Sequence, residues 1–151
     1  MSKERFKLIP EVYLLFIKDR QILLSQRFQT GYEDGNYGFV AGHADGNETM
    51  REALAREAWE EANLKIDPLD LQHLLTMHRW CGDHERIGFY FYPRKWSGEI
   101  KNNEPEKCSD LSWFPLEKLP ENIIPYIKEA INLSQQGIRY CEFGWGKLYE
   151  C

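Results

Sequence analysis

Apolar residues along this chain fall into short runs divided by charged or turn-forming clusters, and most of these runs have the length of a β-strand. Residues 12–17 (Val-Tyr-Leu-Leu-Phe-Ile) and 21–25 read as two strands joined by a tight turn at Lys18-Asp19-Arg20, which predicts a hairpin. Residues 29–36 carry Gly31 and the turn sequence Asp34-Gly35-Asn36, so a loop is expected to lead into a short strand over 37–41. The spacing then changes to that of a helix over 49–62, capped by Asn47 or Thr49, with Leu54 and Ala58 on its inner side and Met50 and Trp59 nearby. Strand signals return at 74–80 and 87–92, rich in β-branched and aromatic residues, around a Gly82-Asp83 turn. Residues 111–114 predict a final strand stopped by Pro115. A second helix follows with Pro125 in its first turn, apolar Tyr126, Ile127, Ala130, Ile131 and Leu133 along one side, and Gly137 at its end. Strands, helix, strands and helix, without an internal repeat, predict an α+β domain in which a mixed sheet lies between helices.

Composition narrows the class. A length of 151 residues suits one domain, read here as 1–151, and 42% hydrophobic with 28% charged residues is the balance of a soluble globular protein. A net charge of −5 without a Lys/Arg block argues against binding a nucleic-acid polymer or an anionic membrane. The charged amino terminus lacks the apolar stretch of a signal peptide, and no segment approaches the about 18 consecutive apolar residues of a membrane span, so a cytoplasmic location is expected. Cys81, Cys108, Cys141 and Cys151 show no paired C-x-x-C spacing and read as free thiols. His78, Cys81 and His84 lie around the predicted turn, with no second ligand pair to make a zinc site.

The chemistry is concentrated between Gly42 and Leu64, in Gly42-His-Ala-Asp-Gly-Asn-Glu48 followed by Arg56-Glu57-Ala58-Trp59-Glu60-Glu61-Ala62-Asn63-Leu64. On a helix, Glu57, Glu60 and Glu61 project within one sector, because residues three and four apart are neighbours there. Such a cluster repels itself and raises its own pKa values unless a divalent cation neutralises it. Oxygen-only ligands favour a hard ion, Mg²⁺ or Mn²⁺, and Mg²⁺ commonly arrives with substrate phosphates.

These residues resemble the signature of the Nudix (MutT-type) hydrolases: Gly, five residues, Glu, seven residues, Arg-Glu, an aliphatic residue, any residue, Glu-Glu, any residue, Gly and an aliphatic residue. Gly42, Glu48, Arg56, Glu57, Ala58, Glu60, Glu61 and Leu64 fall in register with it. Asn63 departs from it, standing where the family has glycine, at a helix C-terminus that needs a left-handed residue; Asn tolerates that conformation next best after Gly.

The resemblance implies a Nudix α/β/α sandwich from about residue 12 to 133. It also implies cleavage, by metal-assisted attack of water, of the pyrophosphate linkage in a nucleoside diphosphate joined to another group. Glu57 and Glu61 are the first expected metal ligands, with Gly42 among the metal-site residues; Glu60 is a further ligand or the proton acceptor, and the roles within the trio are interchangeable. Arg56 is expected to orient a glutamate and support the loop. Glu104 and Glu106, on a loop where related enzymes often carry another acid, are further catalytic candidates. His43 is expected to touch phosphate or cover the loop, while Tyr37, Phe39 or Trp80 would stack on a base. The segment 140–145 either closes over a ligand or packs on the sheet.

The expected substrate is a nucleoside triphosphate, the short chain having no extra dimerisation domain, and ADP-ribose or another nucleotide sugar is the alternative. Gly38 occupies the place of an asparagine found in related oxidised-guanine triphosphatases, which weakens a sanitising role. A non-catalytic nucleotide-sensing module would have lost one of the three carboxylates. Monomer and homodimer are both compatible with the sequence.

Overall fold

In a computed structural model, which describes residues 2–146, the chain folds into two sheets flanked by two long helices. Strand β1 (Ile9–Leu14) is continuous in hydrophobicity with residues 15–17, but the chain leaves the first sheet after Leu14 and enters the second as β2 (Ile17–Lys18). Leu15 and Phe16 are buried at this crossing, so the single strand expected over 12–17 is two. Asp19 and Arg20 both take positive φ, 52° and 62°, closing the two-residue turn into β3 (Gln21–Arg27) whose backbone twist matches a hairpin.

The expected strand 37–41 is likewise divided into β4 (Tyr37–Gly38) on β3 and β5 (Ala41–His43) on β1. Phe39 and Val40, both buried, carry the chain from one sheet to the other. Helix α1 (Met50–Ala62) begins with a reciprocal cap. The Thr49 hydroxyl accepts from the Glu52 N–H (3.1 Å) and the Glu52 carboxylate from the Thr49 N–H (2.9 Å), so Thr49 and not Asn47 is the cap.

A 3₁₀ turn (Pro68–Asp70) leads to β6 (Leu71–Trp80), which pairs antiparallel with β7 (Glu85–Pro93) through a turn where Gly82 has φ 93°. Strand β8 (Cys108–Pro115) joins β3. Helix α2 (Pro125–Gln135) follows, and the chain then adds β9 (Tyr140–Phe143) parallel to β6. The 111–114 strand is therefore not the last. Segment 140–143 packs into the sheet, and Trp145 anchors it by donating from Nε1 to the His78 carbonyl at 3.1 Å.

The first sheet has the order β5-β1-β7-β6-β9 and is mixed; in the second, β3 pairs with β2, β4 and β8. Alternation along β1 sends Val12 and Leu14 into a core under α1 and Tyr13 into a core under α2, which Leu15 joins just past the strand. Ala53, Leu54, Ala58 and Ala62 form the fully buried face of α1. Trp59, expected near that face, is 54% exposed, because the next residue on a helix turns about 100° away from Ala58.

Candidate active site

The loop 42–48 folds back on α1 and is held there by one arginine. Arg56 donates from Nη2 to Glu48 Oε1 (2.9 Å) and to the His43 carbonyl (3.3 Å), and from Nε to Glu48 Oε2 (3.2 Å). From Nη1 it reaches Glu57 (2.9 Å) and Glu60 (3.3 Å), while Asp45 lies 3.2 Å away. The hydrogen bond from Arg56 holds the Glu48 carboxyl below its ordinary pKa, fixing it as an anchor of the loop. One guanidinium thus faces four carboxylates, which leaves the helix end rich in negative charge.

Glu57 and Glu61, four residues apart, point toward the loop and the sheet, whereas Glu60 is exposed at the rim. A β-carbon built on Gly42 would fall on the Glu57 carboxyl, so only glycine lets the loop backbone approach that acid. Glu61 accepts from the Ala41 N–H at 3.1 Å. Burial, followed by the charge of Glu57, pushes the Glu61 carboxyl up to about 8; burial also raises Glu57 against the pull of Arg56. The donors are hard oxygens, and a divalent cation would reverse the cost of ionising both acids, so these residues fit such an ion. Among the described residues no three His, Cys, Asp or Glu side chains already enclose one point.

Glu61 opens onto a cavity of about 480 Å³, within the range of about 300–1,000 Å³ typical of small-molecule sites. It lies between β1, β7, β3 and β8, the loop 29–32 and the start of α2. Gly42 and His43 also line it, as does Phe39. Glu104 lines it too, and its charge helps to raise Glu57 and Glu61. Glu106 is exposed and forms no part of the wall.

The difference between these two glutamates follows from local ties. The Glu104 N–H donates to Asn102 Oδ1 (3.1 Å), and the Glu104 carbonyl accepts from the N–H groups of Lys107 and Cys108, each at 2.9 Å. The same loop docks on the C-terminus of α1, where Lys101 donates to the Ala62 carbonyl (3.1 Å) and Asn103 to that of Glu61 (3.0 Å).

Tyr37 and Trp80 are not part of the cavity wall. The Tyr37 ring packs edge-on against Phe114 and its hydroxyl donates to Asp110 at 2.6 Å, while Trp80 lies against Trp145 near the β6–β7 turn. Sequence reading did not find Arg27, Tyr32 and Lys107, which contribute cationic and aromatic surface to the wall, or Glu11, Arg86 and Tyr126, which also line it. These residues are scattered over six segments, and no spacing signal joins them.

The model of the NUDIX domain family matches residues 7–133. The chain is 32% identical over 106 residues to "Phosphatase NudJ" of Escherichia coli strain K12, an alignment covering 66% of this chain and 67% of that protein; the Shigella flexneri protein of the same name matches equally. In fold it is similar to a MutT NUDIX hydrolase from Burkholderia pseudomallei (TM-score 0.76, 22% identity, 84% of this chain and 98% of that one). It is also similar to a MutT protein from Methanosarcina mazei Go1 (TM-score 0.74, 19% identity, 89% and 97%).

Proposed function

The chain belongs to the Nudix hydrolase family, and from that premise we propose that it cleaves the pyrophosphate linkage of a nucleoside diphosphate joined to a further group, with nucleoside triphosphates as the first substrate class. The observation that carries this reading is that Glu61, Gly42 and Glu104 line a nucleotide-sized cavity whose wall also holds Arg27 and Lys107, with the Glu57 carboxyl packed against Gly42. Glu57 and Glu61 would hold Mg²⁺ or Mn²⁺ beside the Gly42 backbone, with Glu60 at the rim. Such an ion neutralises phosphate charge and makes water a better nucleophile.

The chain's own groups do the rest. Arg56 fixes Glu57 and the 42–48 loop, so that the acids meet the substrate without first reorganising. Arg27 and Lys107 attract the phosphates. Glu104, on its braced loop in the cavity wall, would accept a proton from the attacking water. Phe39, which lines the cavity, would give the nucleoside an apolar contact. The same reading places the protein in the cytoplasm, acting on small nucleotides as monomer or homodimer. No described helix is long and apolar enough to cross a membrane.

The test is a screen of nucleoside triphosphates and nucleotide sugars with Mg²⁺ or Mn²⁺, with products resolved by chromatography. Nucleoside monophosphate and pyrophosphate are the expected products, and release should stop in excess EDTA. Undiminished turnover in EDTA overturns the metal-dependent reading, and hydrolysis of ADP-ribose alone replaces the substrate class. In the same assay Glu104→Gln should lower kcat by about 10²–10³-fold, in the range for a lost general base. Glu106→Gln should stay within about twofold, as a surface substitution outside the cavity. Equal effects of the two would remove Glu104 from the chemistry.

A further inference from the structure

The wall of the cavity beside Gly42 carries a network of charged side chains with no part in the chemistry described above. His43 of β5, Glu11 of β1 and Arg86 of β7 stand together on the sheet, with Arg79 of β6 behind them. Glu11 is only 8% exposed, and its oxygens are fully engaged. Oε1 accepts from the Tyr13 hydroxyl (2.9 Å) and Arg79 Nη2 (3.0 Å); Oε2 accepts from Arg86 Nη1 (2.9 Å) and lies 3.4 Å from His43 Nε2. Burial alone would raise the Glu11 pKa, but Arg79 and Arg86 outweigh it and hold the carboxyl below its ordinary value.

Arg79 is itself buried, stacked 3.6 Å over the Tyr126 ring, and would balance Glu11 unaided. Arg86 is therefore a second cation on one carboxylate, and it sits on the cavity side. Its Nε donates to His84 Nε2 (2.8 Å), and its Nη1 is shared between Glu11 and His43 (3.2 Å). Nη2 donates to no described protein group, which leaves two N–H bonds for a ligand.

Tyr13, Phe39, Tyr126 and Ile124 line the same cavity as this guanidinium, each less than a tenth exposed, and give it an apolar floor on which a planar ring can rest. The geometry points to a base-reading subsite: Arg86, positioned by Glu11, donates to a carbonyl oxygen of the nucleobase and so favours keto bases over amino bases. The inference rests on the nucleotide reading given above. A guanidinium has donors and no acceptor, and Glu11 has no lone pair to spare. A carbonyl at the C6 edge of a purine or C4 of a pyrimidine gains a charge-assisted hydrogen bond there. An exocyclic amino group in the same place meets only other donors and leaves its own hydrogens unpaired, the kind of mismatch that gives strong discrimination.

The experiment compares inosine triphosphate with ATP, and UTP with CTP, under Mg²⁺. It also titrates IMP and AMP into the metal-free protein by calorimetry. KM should be lower by tenfold or more for the keto member of each pair, with a much smaller change in kcat, and IMP should bind correspondingly tighter than AMP. Arg86→Gln, whose amide both donates and accepts, should bring each ratio within about threefold of unity, while Arg86→Lys keeps part of the preference. Glu11→Gln should shrink the ratio without inverting it, as expected of a positioning residue. Equal KM and equal monophosphate affinity in the unsubstituted protein, or a preference unchanged in Arg86→Gln, overturns the subsite. If Arg86→Gln instead weakens inhibition by inorganic pyrophosphate as much as binding of IMP, the guanidinium holds phosphate and the base reading falls. If no nucleotide is hydrolysed yet IMP is preferred in an Arg86-dependent way, the proposed reaction fails and the subsite stands.

Discussion

Glu61→Gln is expected to lower turnover by at least about 10²-fold while raising the melting temperature of the metal-free protein. The two effects have one cause. Glu61 lies four residues after Glu57, faces the cavity, and has the Ala41 N–H as its hydrogen-bond donor. Glutamine is no divalent-ion ligand, and at neutral pH it also removes the cost that the metal-free fold bears in either protonating Glu61 or burying its charge beside Glu57. A substitution that damages activity by loosening the fold would shift both quantities downward. Activity near that of the unsubstituted protein, with unchanged metal affinity by titration, would take Glu61 out of the site.

The sign of the pH dependence follows from the same residue. Its folded-state value of about 8 lies above the ordinary 4.5 of an unfolded chain, so the folded state binds the extra proton between those limits. The contribution to stability is present below about pH 4.5 and is lost as the pH rises toward 8. At about 1.4 kcal/mol for each unit, and with water reaching the outer edge of the side chain, the expected loss is on the order of 2–4 kcal/mol. Glu57, raised in the same direction by burial, adds to it. Denaturation of the metal-free protein across pH 5–8 should show stability falling. Mg²⁺ should restore it at the upper end, and Glu61→Gln should flatten the profile. A profile that rises with pH and ignores both Mg²⁺ and the substitution would contradict the account.

What the sequence made legible was the part of the site that lies on one element. Helix α1 announces itself by period and cap, and helical spacing alone gathers Glu57, Glu60 and Glu61. That Glu60 would be the exposed member depends on how the helix rolls against β1 and β5, which Ala53, Ala58 and Ala62 decide by allowing close approach. The divided strands were illegible for a related reason. Residues 12–16 are buried on both faces, so no polar position marks where the chain steps from one sheet to the other. Residues 39–40 hide the same step. Strand β9 is four residues long and lies beyond a glycine, too short for its alternation to stand out. The choice between Glu104 and Glu106 rests on a hydrogen bond from the Glu104 N–H to Asn102 and one from Lys107 to the Glu104 carbonyl, and another stretch of the cavity wall joins Glu11 to a residue 75 positions away. Neither leaves a local pattern.

Asn63→Val is expected to destabilise the domain by roughly 2–3 kcal/mol and to lower turnover out of proportion to the unfolded fraction. Asn63 has φ 59° and ψ 25°, the left-handed conformation predicted for the residue that replaces the family glycine, and its N–H satisfies the carbonyls of Ala58 and Trp59. A β-branched residue pays about 1–2 kcal/mol there. The structure adds a second term. Asn63 Nδ2 donates to the Glu99 carbonyl at 2.8 Å, a bond worth about 0.5–1.5 kcal/mol that valine cannot make. That bond belongs to the seam in which Lys101 and Asn103 dock on the end of α1, and the seam carries Glu104 toward Glu61. Breaking it displaces a candidate proton acceptor as well as the helix end. Asn63→Gly separates the two terms, because it keeps the backbone conformation and loses only the tie; it should cost at most about 1 kcal/mol and have a smaller effect on kcat. Denaturant unfolding of both variants with and without Mg²⁺, alongside kcat at saturating substrate, reads each half. Valine tolerated as well as glycine in both measurements would mean that residue 63 does not need the left-handed conformation and that the seam does not position Glu104.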